Sequence, residues 1–119
     1  MLKGGWLIVY HGVSEAQGTA GNHPLCYAAG VMVLSKQHPR VVRYRSVEPI
    51  LTPMLPQERD GIVSNVVFPT GIDRRDDLCT PDRFDIYYGM ADNRIGVARL
   101  DMPDHLPAGA DADSPAARV

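Results

Sequence analysis

Proline and glycine interrupt this chain so often that long helices are excluded. No window of a dozen residues holds an apolar stripe at helical spacing without one of the two inside it. The sequence has 11 glycines and 10 prolines in 119 residues, above the average combined usage of about 12%. Such punctuation suits short strands joined by turns. The apolar runs, at residues 6–10, 25–34, 41–44, 62–68, 84–90 and 95–100, are mostly rich in β-branched and aromatic side chains. A connection carrying Pro49, Pro53 and Pro56 follows the third run, Pro69 and Gly71 mark a turn after the fourth, and Ala91 to Arg94 reads as a hairpin loop. The predicted class is all-β. Val31, Met32, Val33 and Leu34 are apolar at consecutive positions, which implies strands covered on both faces, as in a sandwich or in stacked propeller blades. The two halves also rhyme: Tyr10, His11, Gly12 precede Gly30, Val31, and Tyr87, Tyr88, Gly89 precede Gly96, Val97, a repeat of roughly 75 residues.

A formal net charge of -2 and a pI near 6.0 leave no basic footprint for a polyanion, so nucleic acid is not an expected partner. No run approaches the roughly 20 apolar residues that span a bilayer, and the start lacks the apolar stretch of a secretory signal. No membrane role is expected, and the expected address is the cytoplasm. Cys26 and Cys79 stand far apart, with neither a CxxC spacing nor a histidine at metal-finger distance, so neither a disulfide scaffold nor a metal module is expected. Residues 103–119 turn to proline, aspartate, alanine and glycine, and read as a flexible, disordered tail behind a folded unit of residues 1–102.

His11, Tyr27, Asn65 and Asp92 sit inside or at the ends of apolar runs, where a purely structural chain would seldom put them. Strand ends are where a rigid sheet fixes binding groups. Each has a structural reading beside the functional one: His11 as a hydrogen-bonded core histidine, Asn65 as a turn or edge residue, Asp92 as a turn residue beside Asn93. Arg40, Arg43 and Arg45 interleave with Val41, Val42 and Tyr44. Such arginines suit an anionic or sugar ligand through their fork of donors, or protect an edge strand by charge. Arg74, Arg75, Asp76 and Asp77 read as the solvated tip of a hairpin. No glycine-rich nucleotide loop and no GxSxG elbow occurs.

Six segments say more together than any residue alone. They are Gly5-Trp6-Leu7-Ile8-Val9-Tyr10-His11-Gly12-Val13, Tyr27-Ala28-Ala29-Gly30, Tyr44-Arg45-Ser46-Val47-Glu48-Pro49-Ile50-Leu51, Gly61-Ile62-Val63-Ser64-Asn65-Val66-Val67-Phe68-Pro69-Thr70-Gly71, Ile86-Tyr87-Tyr88-Gly89-Met90-Ala91-Asp92, and Ile95-Gly96-Val97-Ala98. In this wording and order they resemble the C-terminal part of the β-mannoside phosphorylases and related hydrolases of glycoside hydrolase family 130. The resemblance covers nearly everything from Gly4 to about Asp101.

It implies about two blades of a five-bladed β-propeller whose central channel binds sugar and phosphate, with inorganic phosphate as co-substrate and no other cofactor. It also implies an inverting reaction. Phosphate, or water in hydrolytic members, attacks the anomeric carbon of a β-mannoside or related oligosaccharide while an aspartic acid protonates the leaving oxygen. By the same resemblance His11 binds phosphate, Tyr27 lines the sugar or phosphate pocket, and Asp92 binds hydroxyls of the mannosyl ring. Arg45 and Asn65 match motif positions that contact substrate or hold the blade together. Ser64 stands where proline is usual, and the loop from Ser14 to Asn22 is longer than typical. The family's general acid and its principal arginine and lysine phosphate ligands belong to N-terminal blades, which no segment here resembles. The expectation is a C-terminal portion that is catalytically incompetent alone, with no catalytic residue assigned in it. The alternative is a non-catalytic glycan-binding or assembly module that forms a homo-oligomer, or takes a partner supplying the missing blades, through exposed blade edges.

Overall fold

The short apolar runs pair with their neighbours in sequence. A computed structural model of the chain describes residues 5–15, 25–79 and 82–103. The expected tail therefore lies, from residue 104, outside the described residues, as does most of the loop after Ser14. The described elements are β1 (Gly5–Glu15), β2 (Leu25–Ser35), β3 (Val42–Arg45), a one-turn helix α1 (Pro56–Arg59), β4 (Val67–Arg74), a 3-10 turn at Asp76–Leu78, β5 (Arg83–Met90) and β6 (Arg94–Asp101). Strands β1-β2-β3 form one antiparallel sheet and β4-β5-β6 a second. The chain is all-β, built as two blade-like sheets.

The register of β1 on β2 sets Leu7, Val9, His11 and Val13 opposite Val33, Val31, Ala29 and Tyr27, so these side chains share one face. That face packs on the second sheet. Ala29, Val67, Tyr88 and Met90 form the core, with Val9, Leu51 and Ala98 packed against it. Strand β2 is covered on both faces as expected, being buried at four consecutive positions, 28–31. Strand β6 alternates between exposed and half-buried residues, and its outward Ile95 and Val97 are 81% and 58% exposed beside a 43% exposed Tyr87.

The rhyme between the halves has a local cause. Tyr10 lies directly opposite Gly30, and Tyr88 opposite Gly96. A Cβ on either glycine would stand 2.7 or 2.8 Å from the facing tyrosine ring, so each ring occupies the space a side chain would need. The positions are not equivalent, because Tyr10 belongs to an edge strand and Tyr88 to the middle strand of its sheet. One packing device is used twice.

The connection between the sheets runs along the free edge of β2. Beyond β3, Ser46 N–H donates to Val31 and its Oγ accepts from Val31 N–H at 3.1 Å. Then Ala29 N–H donates to Leu51, and Tyr27 N–H donates to Asn65, both at 2.9 Å. Three separate segments thus satisfy one strand edge.

Three readings of the sequence need correction. Residues 62–66 were expected in a strand, but they bend, with only a bridge at Val66, and β4 begins at Val67. Pro69 and Gly71 do not end that strand. They sit inside it, where the register shifts between them. Because β4 is an edge strand, a proline without an N–H is tolerated at a bulge there. Arg75 is no mere solvated tip, since it reaches Asp85, which is 8% exposed, at 2.6 Å.

Gly61 gives the fold its sharpest steric test. A Cβ there would lie 2.5 Å from the Ala91 carbonyl oxygen and 2.6 Å from the Ala91 Cβ. Gly61→Ala should cost about 1–3 kcal/mol, read as a lower urea midpoint at unchanged slope. Gly12→Ala, where a Cβ meets nothing within 4 Å, should be neutral or stabilising by up to about 1 kcal/mol.

Candidate functional site

The site grows from a helix of one turn. Pro56 occupies its first position, where a missing N–H costs nothing and the fixed φ favours the turn. Glu58 follows at the third. Its Oε1 accepts the N–H groups of Met54 and Leu55, each at 2.9 Å, and its Oε2 accepts the Tyr88 hydroxyl at 2.6 Å. The residue is 2% exposed. Burial pushes its carboxyl up, but the Tyr88 hydroxyl and the two N–H donors outweigh burial and hold it below its ordinary 4.5. Burial, then the bond to Glu58 and its charge, push Tyr88 up to about 12.

From α1 the chain turns through residues 60–66, bonded on three sides. Asn65 N–H donates to Arg59 at 3.1 Å and Val66 N–H to Glu58 at 3.0 Å. Val63 N–H donates to the Ala91 carbonyl at 3.1 Å, and Ala91 N–H to the Val66 carbonyl at 3.0 Å. Ala91 and Asp92 form the centre of a turn closed by Asn93 N–H to Met90 at 3.0 Å, with φ of 50° and 53°. Positive φ at both centres is the type I′ pattern. It is easy for an aspartate and unusual for Ala91, which is fully buried.

His11 lies on β1 and is exposed, so it is not a core histidine; its ring centroid stands 4.3 Å from that of Phe68, tilted 35°. Tyr27, half-buried on β2, faces Val13 and is the diagonal neighbour of His11 on the same face. Asn65, half-buried at φ 60°, reaches Tyr27 through its backbone carbonyl. Asp92 is exposed at the tip of the β5–β6 turn. The fold therefore brings His11, Tyr27, Asn65 and Asp92 to one end of the sheets, where β1 and β5 finish and β2 and β4 begin. It does not bring Arg45, which pairs with Met32, five residues along β2 from Tyr27, and is exposed there.

Open clefts among the described residues lie elsewhere. One of about 200 Å³ lies between Tyr10, Gly30 and the loop from Ser46 to Pro49, and one of about 310 Å³ between Trp6, Ile72 and Phe84; neither includes a candidate residue. Among the described residues, no group of three or more His, Cys, Asp or Glu side chains could hold a metal ion.

Comparison with known proteins decides the family. The sequence model described as beta-1,4-mannooligosaccharide phosphorylase matches residues 1–106. The chain belongs to glycoside hydrolase family 130. It is 37% identical over 102 residues to a 1,2-beta-oligomannan phosphorylase of Thermoanaerobacter sp. (strain X514), covering 86% of this chain and 30% of that one. It is 35% identical over 102 residues to a beta-1,4-mannooligosaccharide phosphorylase of Ruminococcus albus, covering 84% and 28%. The structure of beta-1,2-mannobiose phosphorylase from Listeria innocua in its beta-1,2-mannobiose complex matches with a TM-score of 0.65 at 29% identity, covering 85% and 25%. This family 130 chain thus spans less than a third of the length of these relatives.

Sequence reasoning missed Glu58, Phe68 and Ala91. A glutamate three places after Leu55 and two after Pro56 is half of a helix-capping signature, and it was there to be read. Nothing local announces the bond from Glu58 to Tyr88, 30 residues away.

Among the described residues of the family 130 chain, three carboxyls are shifted, all downward. Besides Glu58, the hydrogen bond from Arg75 holds Asp85 below its ordinary 3.8 against the effect of burial, and brings Asp77 to about 2. A carboxyl depressed by folding stabilises the fold fully above its ordinary value and loses that contribution as pH falls through the depressed one. The melting temperature should therefore fall as pH drops from 5 toward 2, with a shallower slope in Glu58→Gln. Tyr88 has the opposite sign: its raised value stabilises the fold below its ordinary 10.0 and ceases to do so as pH rises through about 12. Ultraviolet titration should show one tyrosine near 12, displaced toward 10 by Glu58→Gln.

Proposed function

We propose that this chain supplies the His11, Tyr27 and Asp92 side of a site for a β-mannoside and phosphate, and that the proton donor comes from outside it. What carries this reading is the exposed His11 ring stacked on Phe68, with Tyr27 on the same face and Asp92 at the same end of the sheets. Relatives of the chain are phosphorylases of mannobiose and of mannooligosaccharides. In the proposed site a His11 N–H donates to a phosphate oxygen and the Tyr27 hydroxyl to phosphate or sugar. Asp92 accepts hydrogen bonds from mannosyl hydroxyls. Asn65 holds Tyr27 through its backbone, and Arg45 guards the edge of the blade.

Inverting phosphorolysis needs a phosphate oxygen to bond the anomeric carbon while the glycosidic bond breaks and its oxygen receives a proton. The donor must be a carboxyl that keeps its proton near neutral pH. Glu58 spends its oxygens on three donors, and Asp85 and Asp77 are paired with Arg75. Each is held ionised, so none is suited to the task. The second sheet's exposed face of Tyr87, Ile95 and Val97 favours a companion reading, in which further copies or a partner complete the assembly.

The isolated chain should release no mannose 1-phosphate from β-1,2-mannobiose. Turnover that is lost in His11→Ala or Asp92→Ala would overturn the assignment of the acid to another chain segment. Adding phosphate should shift the His11 ring resonances, and an unmoved ring would remove His11 from the site. Light scattering at micromolar concentration should find an oligomer; a monodisperse monomer would count against self-assembly.

A further inference from the structure

We propose that Glu58 is a positioning residue that holds Asp92 in place through the loop of residues 60–66. The inference rests on the site proposed above for its ligand, but not for its mechanics. Glu58 is bonded on both sides of that loop. Its carboxylate takes the Tyr88 hydroxyl at 2.6 Å, two residues before the turn residue Met90, and its backbone carbonyl takes Val66 N–H at 3.0 Å. Val66 and Val63 in turn bond both polar backbone groups of Ala91.

That hold matters because the turn does not sustain itself. An alanine at φ 50° persists only where its surroundings over-determine it. Those surroundings are the Val63 N–H, the Val66 carbonyl and Gly61, which is pressed against Ala91 with no room for a Cβ. All three lie on the loop that Glu58 fastens. When the fastening is lost, Ala91 is free to leave the left-handed region and the direction of Asp92 changes with it. His11 is held chiefly by the β1–β2 ladder and meets this chain of bonds only through Phe68 on β4. The bonds that fix Asp92 and those that fix His11 are therefore largely separate.

The test compares the unmodified chain with Glu58→Gln and Tyr88→Phe, the second of which keeps the ring and its packing. Amide hydrogen exchange followed by NMR should show Ala91 and Val63 exchanging at least tenfold faster in both variants, while amides of the β1–β2 ladder keep their protection. Unchanged protection at Ala91, or a uniform loss across both sheets, would overturn the proposal. In NMR titrations both variants should bind mannose at least tenfold more weakly, with the phosphate-induced shift at His11 unaltered; equal losses for mannose and phosphate would indicate a merely structural role. Asp92→Ala serves as the control on the underlying reading. If it leaves mannose binding unchanged, the sugar role of Asp92 fails, and the exchange data alone judge the positioning role of Glu58.

Discussion

A buried carboxylate fastens the crossing between the two sheets. A charge taken out of water is costly unless hydrogen bonds replace its hydration, and each bond to a charged group is worth about 1.5–3 kcal/mol. Glu58 has three such bonds, from Met54, Leu55 and Tyr88. Two of these close the end of the proline-rich connection, and the third ties it to the middle strand of the second sheet. Through that connection the rest follows: Leu51 and Asn65 come to lie on the edge of β2, and the loop after α1 comes to lie on the turn that bears Asp92.

The same burial divides structural from chemical roles among the acids. A carboxylate bonded by three donors makes a rigid fastening and a poor proton donor, for one reason: its charged form is the favoured one. The residues left with free surface, His11 and Asp92, are those at strand ends and turns. There a sheet or a strained turn fixes the backbone while the side chain remains open to a ligand. The outward face of the second sheet leaves Ile95 and Val97 exposed, and the chain spans less than a third of the length of its relatives.

Much of the architecture was legible locally. Trp6 to Tyr10 and Val31 to Leu34 are strand formers whose neighbours end them, and Ala91 to Asn93 is a turn by composition and by structure. Pro69 misled because proline ends a central strand but not an edge strand, and edge status depends on which strand lies alongside. Ile62 and Val63 misled because apolar character alone cannot say whether a segment pairs as a strand or packs as a loop. The segments containing His11, Tyr27, Asn65 and Asp92 were legible in their order, but their convergence was not. The placing of Arg45 opposite Met32, well along β2 from Tyr27, was equally hidden.

The sequence by itself determined the class of fold, most of the strands, the family and the list of polar residues worth testing. These rest on local patterns, of turn residues, side-chain alternation and short motifs, which any segment carries within itself. Tertiary structure alone decided that His11 meets Phe68, that Tyr88 bonds Glu58, and that a buried alanine is held in a left-handed turn. Each depends on how one sheet lies on the other, and that is set by the summed packing and hydrogen bonding of residues distant in the chain.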